Sequence, residues 1–269
     1  MARWIQVGAG SGGMVVLDLL SRDARFTGVT LIEPDVYKAH NVPRHYFHSN
    51  DIGQLKAELA REWLQQRRPD LQVEILPVDL LAPDHQEVIM AAARAADVGV
   101  CAVDNEPAKY HWDRLMRAAG KPWTLGEVLS GGIGGFIHRF APGQACYGCV
   151  ASHLKREATV EKPPQPDYSQ PDGPVHEVTI PASATSIHII ASLHAWLTLA
   201  LLDGASADFT SCLLTLQKVP EVFEQPLKPY RFVIPRSDAC LLCAVPSTPC
   251  PAEDLDAQLA QALARLGAG

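Results

Sequence analysis

The sequence predicts an α/β fold built on a doubly wound, mainly parallel sheet. Three observations carry this. Apolar runs of strand length alternate with longer runs at helical spacing from Trp4 through Glu127. The first run leads straight into Gly8-Ala9-Gly10-Ser11-Gly12-Gly13 and then into an apolar helical stretch. The second strand ends on acids, Glu33 and Asp35.

Taken in order, residues 4–7 read as a buried strand and 14–20 as the helix after the glycine loop. Gly8 permits a tight turn, Gly10 lets backbone approach a phosphate, and Gly13 lets helix pack close to strand. The helix start offers free N–H groups and partial positive charge to an anion. Residues 29–32 form the second strand, and the Glu33 carboxylate suits ribose hydroxyls. Gly8, Gly10, Gly12, Gly13, Glu33 and Asp35 are therefore the first part of a predicted nucleotide site. Residues 36–56 read as a loop around Pro43, with Asn50 or Asp51 capping the next helix. That helix carries Ile52, Leu55, Leu59 and Trp63 on one face, with Lys56 beside it. A third strand at 73–76, a helix at 85–96 and a fourth strand at 98–103 follow. The fourth strand ends at Asp104-Asn105. A helix at 106–119 and a fifth strand at 123–127 complete the alternation.

The pattern then changes. A glycine-rich turn at 130–135 precedes a strand at 136–140, and further strand-like runs at 209–216 and 230–234 extend the sheet with antiparallel strands. Between them lies 161–174, which holds five prolines and predicts a mobile surface loop. The apolar stretch 187–202 contains His188 and His194 and is short for a membrane span. It reads as a buried core helix running from about Ala184 to Leu202. Leu255, Leu259, Leu263 and Leu266 share one face of a short C-terminal helix expected to dock on the same chain. Residues 1–269 are expected to form one domain, with a nucleotide-binding half at 1–140. The other half, 141–269, would carry a metal and a partner surface.

Composition narrows the function. The chain has 269 residues, 47% hydrophobic and 20% charged, with a formal net charge of −7. A mildly acidic protein is poorly suited to a nucleic-acid backbone. No secretory signal is read at the start, so a cytoplasmic protein without a membrane span is expected. Four of the seven cysteines form two CxxC hooks, Cys146/Cys149 and Cys240/Cys243, each expected on a loop. Outside a secretory context that spacing points to a closed, structural Zn²⁺ site, the zinc staple of the C-terminal part.

Asp104 ends a central strand, where α/β sheets place ligands, and suits Mg²⁺. Arg44 and Lys56 are cations that could spread the charge of a triphosphate. Glu33-x-Asp35, Asn41-x-x-Arg44, Lys56, Asp104-Asn105 and the two CxxC hooks, in this order, resemble the ThiF/MoeB family, which includes the catalytic domains of ubiquitin-activating enzymes. The resemblance runs from Trp4 to Cys243. It implies a Rossmann-like fold, with the glycine loop and Glu33 holding ATP. It also implies that Asn41, Arg44 and Lys56 contact the phosphates, that Asp104 holds Mg²⁺, and that Asn105 stands beside it. The implied partner is a ubiquitin-like or sulfur-carrier protein with a C-terminal glycine, acted on by a homodimer. The implied reaction is adenylation of that glycine carboxylate.

Three features depart from the family pattern. Only Arg3 precedes the first strand where members carry an arginine-bearing arm, as compact bacterial ThiF-like members would. Lys109 stands five residues after Asp104 in place of an arginine. Residues 176–186, matching the crossover segment, contain no cysteine. The expected product is therefore the acyl-adenylate, with Cys101 and Cys212 buried in strands and Cys250 the one exposed thiol. Two other readings compete: a non-catalytic module gripping a ubiquitin-like partner, and an NAD-dependent oxidoreductase. The latter leaves Asn41, Arg44, Lys56 and the cysteines unexplained.

Overall fold

The computed structural model describes residues 1–154, 182–204 and 208–244. The predicted loop at 161–174, Cys250 and the C-terminal leucines lie outside these described residues. The parallel core comprises β1 (Ala2–Val7), β2 (Phe26–Ile32), β3 (Gln72–Leu76), β4 (Val98–Cys101) and β5 (Trp123–Val128). Strands β6 (Gly134–Phe140), β7 (Ser211–Thr215) and β8 (Pro229–Phe232) extend it antiparallel. Together they form one sheet of order β3-β2-β1-β4-β5-β6-β7-β8. The order reverses between β1 and β4, because β2 returns on one side of β1 and β4 on the other. Such a switch leaves a crevice at the carboxyl ends of the strands.

Helices cover both faces because the parallel strands are apolar on both. Trp4 and Ile5 are adjacent in β1 and point to opposite faces, each into its own core. One core packs α1 (Ser11–Ser21), α2 (Lys56–Arg67) and α6 (Ala184–Leu202) over Trp4, Phe26 and Val100. The other packs α3 (Gln86–Ala95), α4 (Glu106–Ala119) and α5 (Tyr147–His153) over Ile5, Trp123 and Phe140. By length and composition alone α6 could cross a membrane. Its buried His194 and Thr198, however, hydrogen-bond Thr124 of β5, at 3.0 and 2.7 Å. It is the core helix over the sheet.

The structure corrects three local expectations. The stretch after β2 is not simply loop: it holds 3₁₀ turns at Ala39–Arg44 and Ser49–Asp51. Helix α2 begins at Lys56, so Ile52 and Leu55 precede it rather than share its face, and Asp51 receives the His48 amide instead of capping α2. Leu55 is held extended by a bridge to Val36. The first cysteine hook is not on a loop, since Cys146 is the N-cap of α5 and Cys149 sits in its first turn.

Candidate nucleotide cleft and cysteine cluster

A cleft of about 730 Å³ opens at the switch point, and every residue predicted for nucleotide binding lines it. The glycine loop forms one wall. Gly8 has φ +94, and a Cβ there would lie 2.4 Å from the Ala102 carbonyl oxygen. A Cβ on Gly13 would lie 2.4 Å from the Gly8 oxygen, so α1 can approach β1 only without a side chain at that position. Gly10 differs: its backbone is ordinary and a Cβ would meet nothing within 4 Å. Its bare Cα leaves open space on the cleft side. Gly10 also caps α1 without offering a side chain, so the helix's first amides are left for a ligand.

Glu33 is buried beside this loop. Its Oε2 accepts the Ala9 amide at 2.6 Å and its Oε1 the Asp35 amide at 2.9 Å. Burial raises its carboxyl above the usual range, against the pull of Lys56 and the Ala9 amide. Asp35 accepts the Lys56 ammonium at 2.8 Å. Lys56 is the first residue of α2, where a cation opposes the helix dipole; the Asp35 carboxylate offsets that. Asn41 is buried and its Oδ1 accepts the Lys38 amide at 3.0 Å, closing the 3₁₀ turn that carries Arg44. Arg44 is half-buried on the cleft wall and has no hydrogen bond or ion pair among the described residues. Asp104 is exposed past β4 and is likewise unpaired among them, while Asn105 caps α4 through its Oδ1, 2.8 Å from the Ala108 amide. Arg3 lies at the opposite end of β1, bound to Gln72 and Glu74.

Sequence reasoning missed a second layer. Lys109 is buried between Glu106 and Glu127, at 2.7 and 2.6 Å. The two carboxylates raise its ammonium against the opposing effect of burial. Glu127 lines the cleft and also contacts His138 at 2.9 Å, and His138 reaches Ser211 at 2.7 Å. Glu106 accepts the Tyr147 hydroxyl at 2.7 Å, and Tyr147 lies inside the first cysteine hook. A chain of part-buried polar contacts thus runs from the cysteines to the cleft. Gln6, wholly buried in β1, and His45 both hydrogen-bond the glycine loop. Gln6 could have been noticed as a polar residue in an apolar strand; His45 carries no such signal.

Cys146, Cys149, Cys240 and Cys243 converge, with all four sulfurs within 4.8 Å of one another. Three of the separations are 3.8, 3.5 and 3.5 Å. A tetrahedral thiolate site with Zn–S near 2.3 Å spaces its sulfurs about 3.8 Å apart, so the set fits zinc. The Ser237 amide donates to the Cys149 sulfur at 3.4 Å, the kind of outer contact that orients a metal thiolate. Cys101 is fully buried and burial pushes its thiol up to about 12, and Cys212 is buried with its thiol raised for the same reason.

The Thermus thermophilus sulfur carrier protein adenylyltransferase is 31% identical over 151 residues, covering 54% of each chain. The Haloferax volcanii SAMP-activating enzyme E1 is 27% identical over 160 residues, covering 59% of this chain and 57% of that one. Ubiquitin-like modifier-activating enzyme 5 of Caenorhabditis briggsae is 27% identical over 152 residues, 54% of this chain and 35% of that protein. The matched stretch thus spans about half or less of these relatives. Among solved structures, E. coli MccB superposes with a TM-score of 0.66 at 18% identity, over 90% of this chain and 67% of that one, a likeness of fold. The model of the ThiF family matches residues 1–233, and the chain belongs to the ThiF family.

Proposed function

We propose that the chain is an ATP-dependent adenylyltransferase acting on the C-terminal glycine carboxylate of a ubiquitin-like or sulfur-carrier protein. The carboxylate oxygen attacks the α-phosphorus of ATP. The bond to the bridging oxygen breaks, giving an acyl-adenylate and pyrophosphate. No side chain is needed as nucleophile, so positioning and charge neutralisation supply the catalysis. Arg44 carries this reading: a half-buried guanidinium on the cleft wall without a counter-ion among the described residues is a cation waiting for an anion. The uncapped start of α1 faces the same cleft and gives the phosphates amide donors.

In this reading Gly8, Gly10, Gly12 and Gly13 form the phosphate wall, and Glu33 and Asp35 face the ribose. Asn41, Arg44 and Lys56 hold the phosphates. Asp104, beside Asn105, would hold Mg²⁺, which would supply further charge neutralisation; its exposed carboxylate at the cleft rim, unpaired among the described residues, fits that ion. The cysteine cluster would hold Zn²⁺ as a structural ion. The names of the sequence relatives support the carrier class, and assembly as a homodimer belongs to the same proposal. Residues 176–186 hold no cysteine and Cys101 and Cys212 are buried, which supports the acyl-adenylate as the product. Cys250 is the one thiol that could carry the reaction to a thioester, and a thiol-sensitive enzyme–carrier adduct lost in Cys250→Ala would overturn this.

The test is carrier-dependent exchange of labelled pyrophosphate into ATP, with a small protein ending in Gly-Gly as substrate. Asp104→Ala and Arg44→Ala should each abolish exchange. Exchange near the wild-type level in both variants would remove the assignment. Tighter binding of NAD than of MgATP in calorimetry would favour hydride-transfer chemistry instead.

A further inference from the structure

The glycine loop has a polarity problem. A loop that wraps phosphate must present N–H groups and hide its carbonyl oxygens, whose partial negative charge repels an anion. Here each carbonyl from Val7 through Gly10 accepts a hydrogen bond. Val7 accepts from the Ala102 amide at 2.9 Å and Gly10 from the Met14 amide at 2.9 Å. Those two are secondary-structure bonds that any such loop makes. The middle two are not. The Gly8 oxygen accepts from the Gln6 side-chain amide at 2.9 Å, and the same nitrogen reaches the Gly13 oxygen at 2.8 Å. The Ala9 oxygen lies 3.0 Å from Nε2 of His45, which arrives from the segment after β2.

The protonation of His45 follows from a neighbour. Its Nδ1 receives the Tyr46 amide at 3.0 Å, and a backbone N–H can only donate. Nδ1 is therefore bare, and the proton sits on Nε2, pointed at Ala9. On its other side Ala9 gives its own N–H to Glu33, so both backbone polar groups of this residue are held. The amides of Ser11, Gly12 and Gly13, in the first turn of α1, have no carbonyl to bond within the helix. The loop's acceptors are spent, as are the Gly8 and Ala9 amides, and the donors that remain are these first amides of α1.

We infer that Gln6 and His45 are positioning residues that capture the glycine loop's carbonyl oxygens, so that the loop shows the cleft an all-donor surface selective for phosphate. This deepens the proposed function and rests on its nucleotide cleft, but it concerns phosphate and is indifferent to which nucleotide is bound. Neither residue lines the cleft. Gln6 acts from beneath the loop, within β1, and His45 from the far side of Ala9. Gln6 is wholly buried and its Oε1 has no partner among the described residues; a buried amide with one end unsatisfied is costly, and the double donation at the other end supplies its reason.

The experiment compares Gln6→Met, His45→Leu and His45→Gln in the full chain. MgATP and NAD are titrated by calorimetry, and adenosine by NMR, which reads millimolar binding. Each captured carbonyl faces a charged ligand, so Gln6→Met and His45→Leu should each weaken MgATP about tenfold. Adenosine, with no phosphate, should change less than twofold. His45→Gln restores a donor and should recover most of the loss. A residue that merely supports the fold would weaken adenosine as much as MgATP. That result, or unchanged MgATP affinity in folded variants, overturns the inference. If Gln6→Met does not fold, the contrast between His45→Leu and His45→Gln decides it. Wild type preferring NAD, with the same selective losses against it, would sink the adenylation reading and leave this one standing; wild type binding neither phosphate ligand would sink both.

Discussion

Replacing Lys109 with methionine isolates the buried network. The lysine side chain is 6% exposed and its ammonium sits 2.7 Å from Glu106 and 2.6 Å from Glu127. Methionine keeps most of the volume and the apolar stem, so packing changes little. What is lost is the single positive charge between two carboxylates, of which Glu127 is 11% exposed. Removing one partner of a buried pair leaves an uncompensated charge and costs on the order of 3–5 kcal/mol. Domains are stable by only about 5–15 kcal/mol, so the loss is a large fraction. At roughly 2–4 °C per kcal/mol, the melting temperature should fall by about 10 °C. Urea and thermal unfolding followed by tryptophan fluorescence measure the free energy and the melting temperature, since Trp112 and Trp123 are buried in the core beside the network. The control is Lys109→Met combined with Glu127→Gln, which removes the more buried of the two carboxylate charges left without the lysine and should regain more than half of the loss. A single variant within 1 kcal/mol of wild type, or a double variant showing plain additivity, would refute the argument that charge compensation governs this site.

Purified protein should contain one Zn²⁺ per chain by elemental analysis, and Cys146→Ser should lose the metal together with several kcal/mol of stability, because ligand loss uncouples binding from folding; folded, metal-free wild type would contradict this. Stability should also fall as pH drops from about 6.5 to 4. Burial holds His45 and His194 neutral down to about 4, whereas the unfolded chain takes up those protons near 6.5. The unfolded state therefore binds more protons in this window, and each ring contributes up to about 3 kcal/mol above it that is lost on acidification. Glu33 and Asp113, whose carboxyls burial raises, act in the opposite direction and soften the slope. His194→Gln should flatten it further, and a wild-type stability independent of pH between 7 and 4 would refute the assignment.

What the sequence reveals follows how local its causes are. The strands of the parallel core announce themselves because both faces are buried, and β1, β2 and β4 extend no more than three residues beyond or short of their predicted ends. Gly8 and Gly13 are readable because backbone geometry excludes other residues there. The segment after β2 is misread in detail because 3₁₀ turns of three to six residues have too short a period to register. Leu55 and Ile52 fit a helical face by spacing, yet the bridge from Leu55 to Val36, a tertiary contact, holds that stretch extended. The cysteine hooks are legible as ligands but not as parts of a helix, since capping by Cys146 has no usual signature. Lys109 with Glu127, and His45 with Ala9, stay invisible because they join residues 18 and 36 positions apart, and no periodicity marks such pairs.

The cysteine cluster also sets an order of assembly. Cys146 and Cys240 are 94 positions apart. At about 5–20 residues per second of synthesis, the second hook follows the first by roughly 5–20 s. Within that interval the chain already contains β1 to β6, and until Ser211–Thr215 is made β6 is a sheet edge awaiting β7; α6, which lines the cleft, is made in the same stretch. An open edge of that kind invites pairing with other chains. The pair of thiols at Cys146 and Cys149 can only half-ligate an ion until Cys240 and Cys243 arrive. Closure of the cluster therefore comes late in synthesis, after the eight strands of the sheet have been made, since β8 ends at Phe232 and the second hook begins at Cys240. A chain whose four thiols are unligated would carry a complete sheet with its second hook not tied to α5.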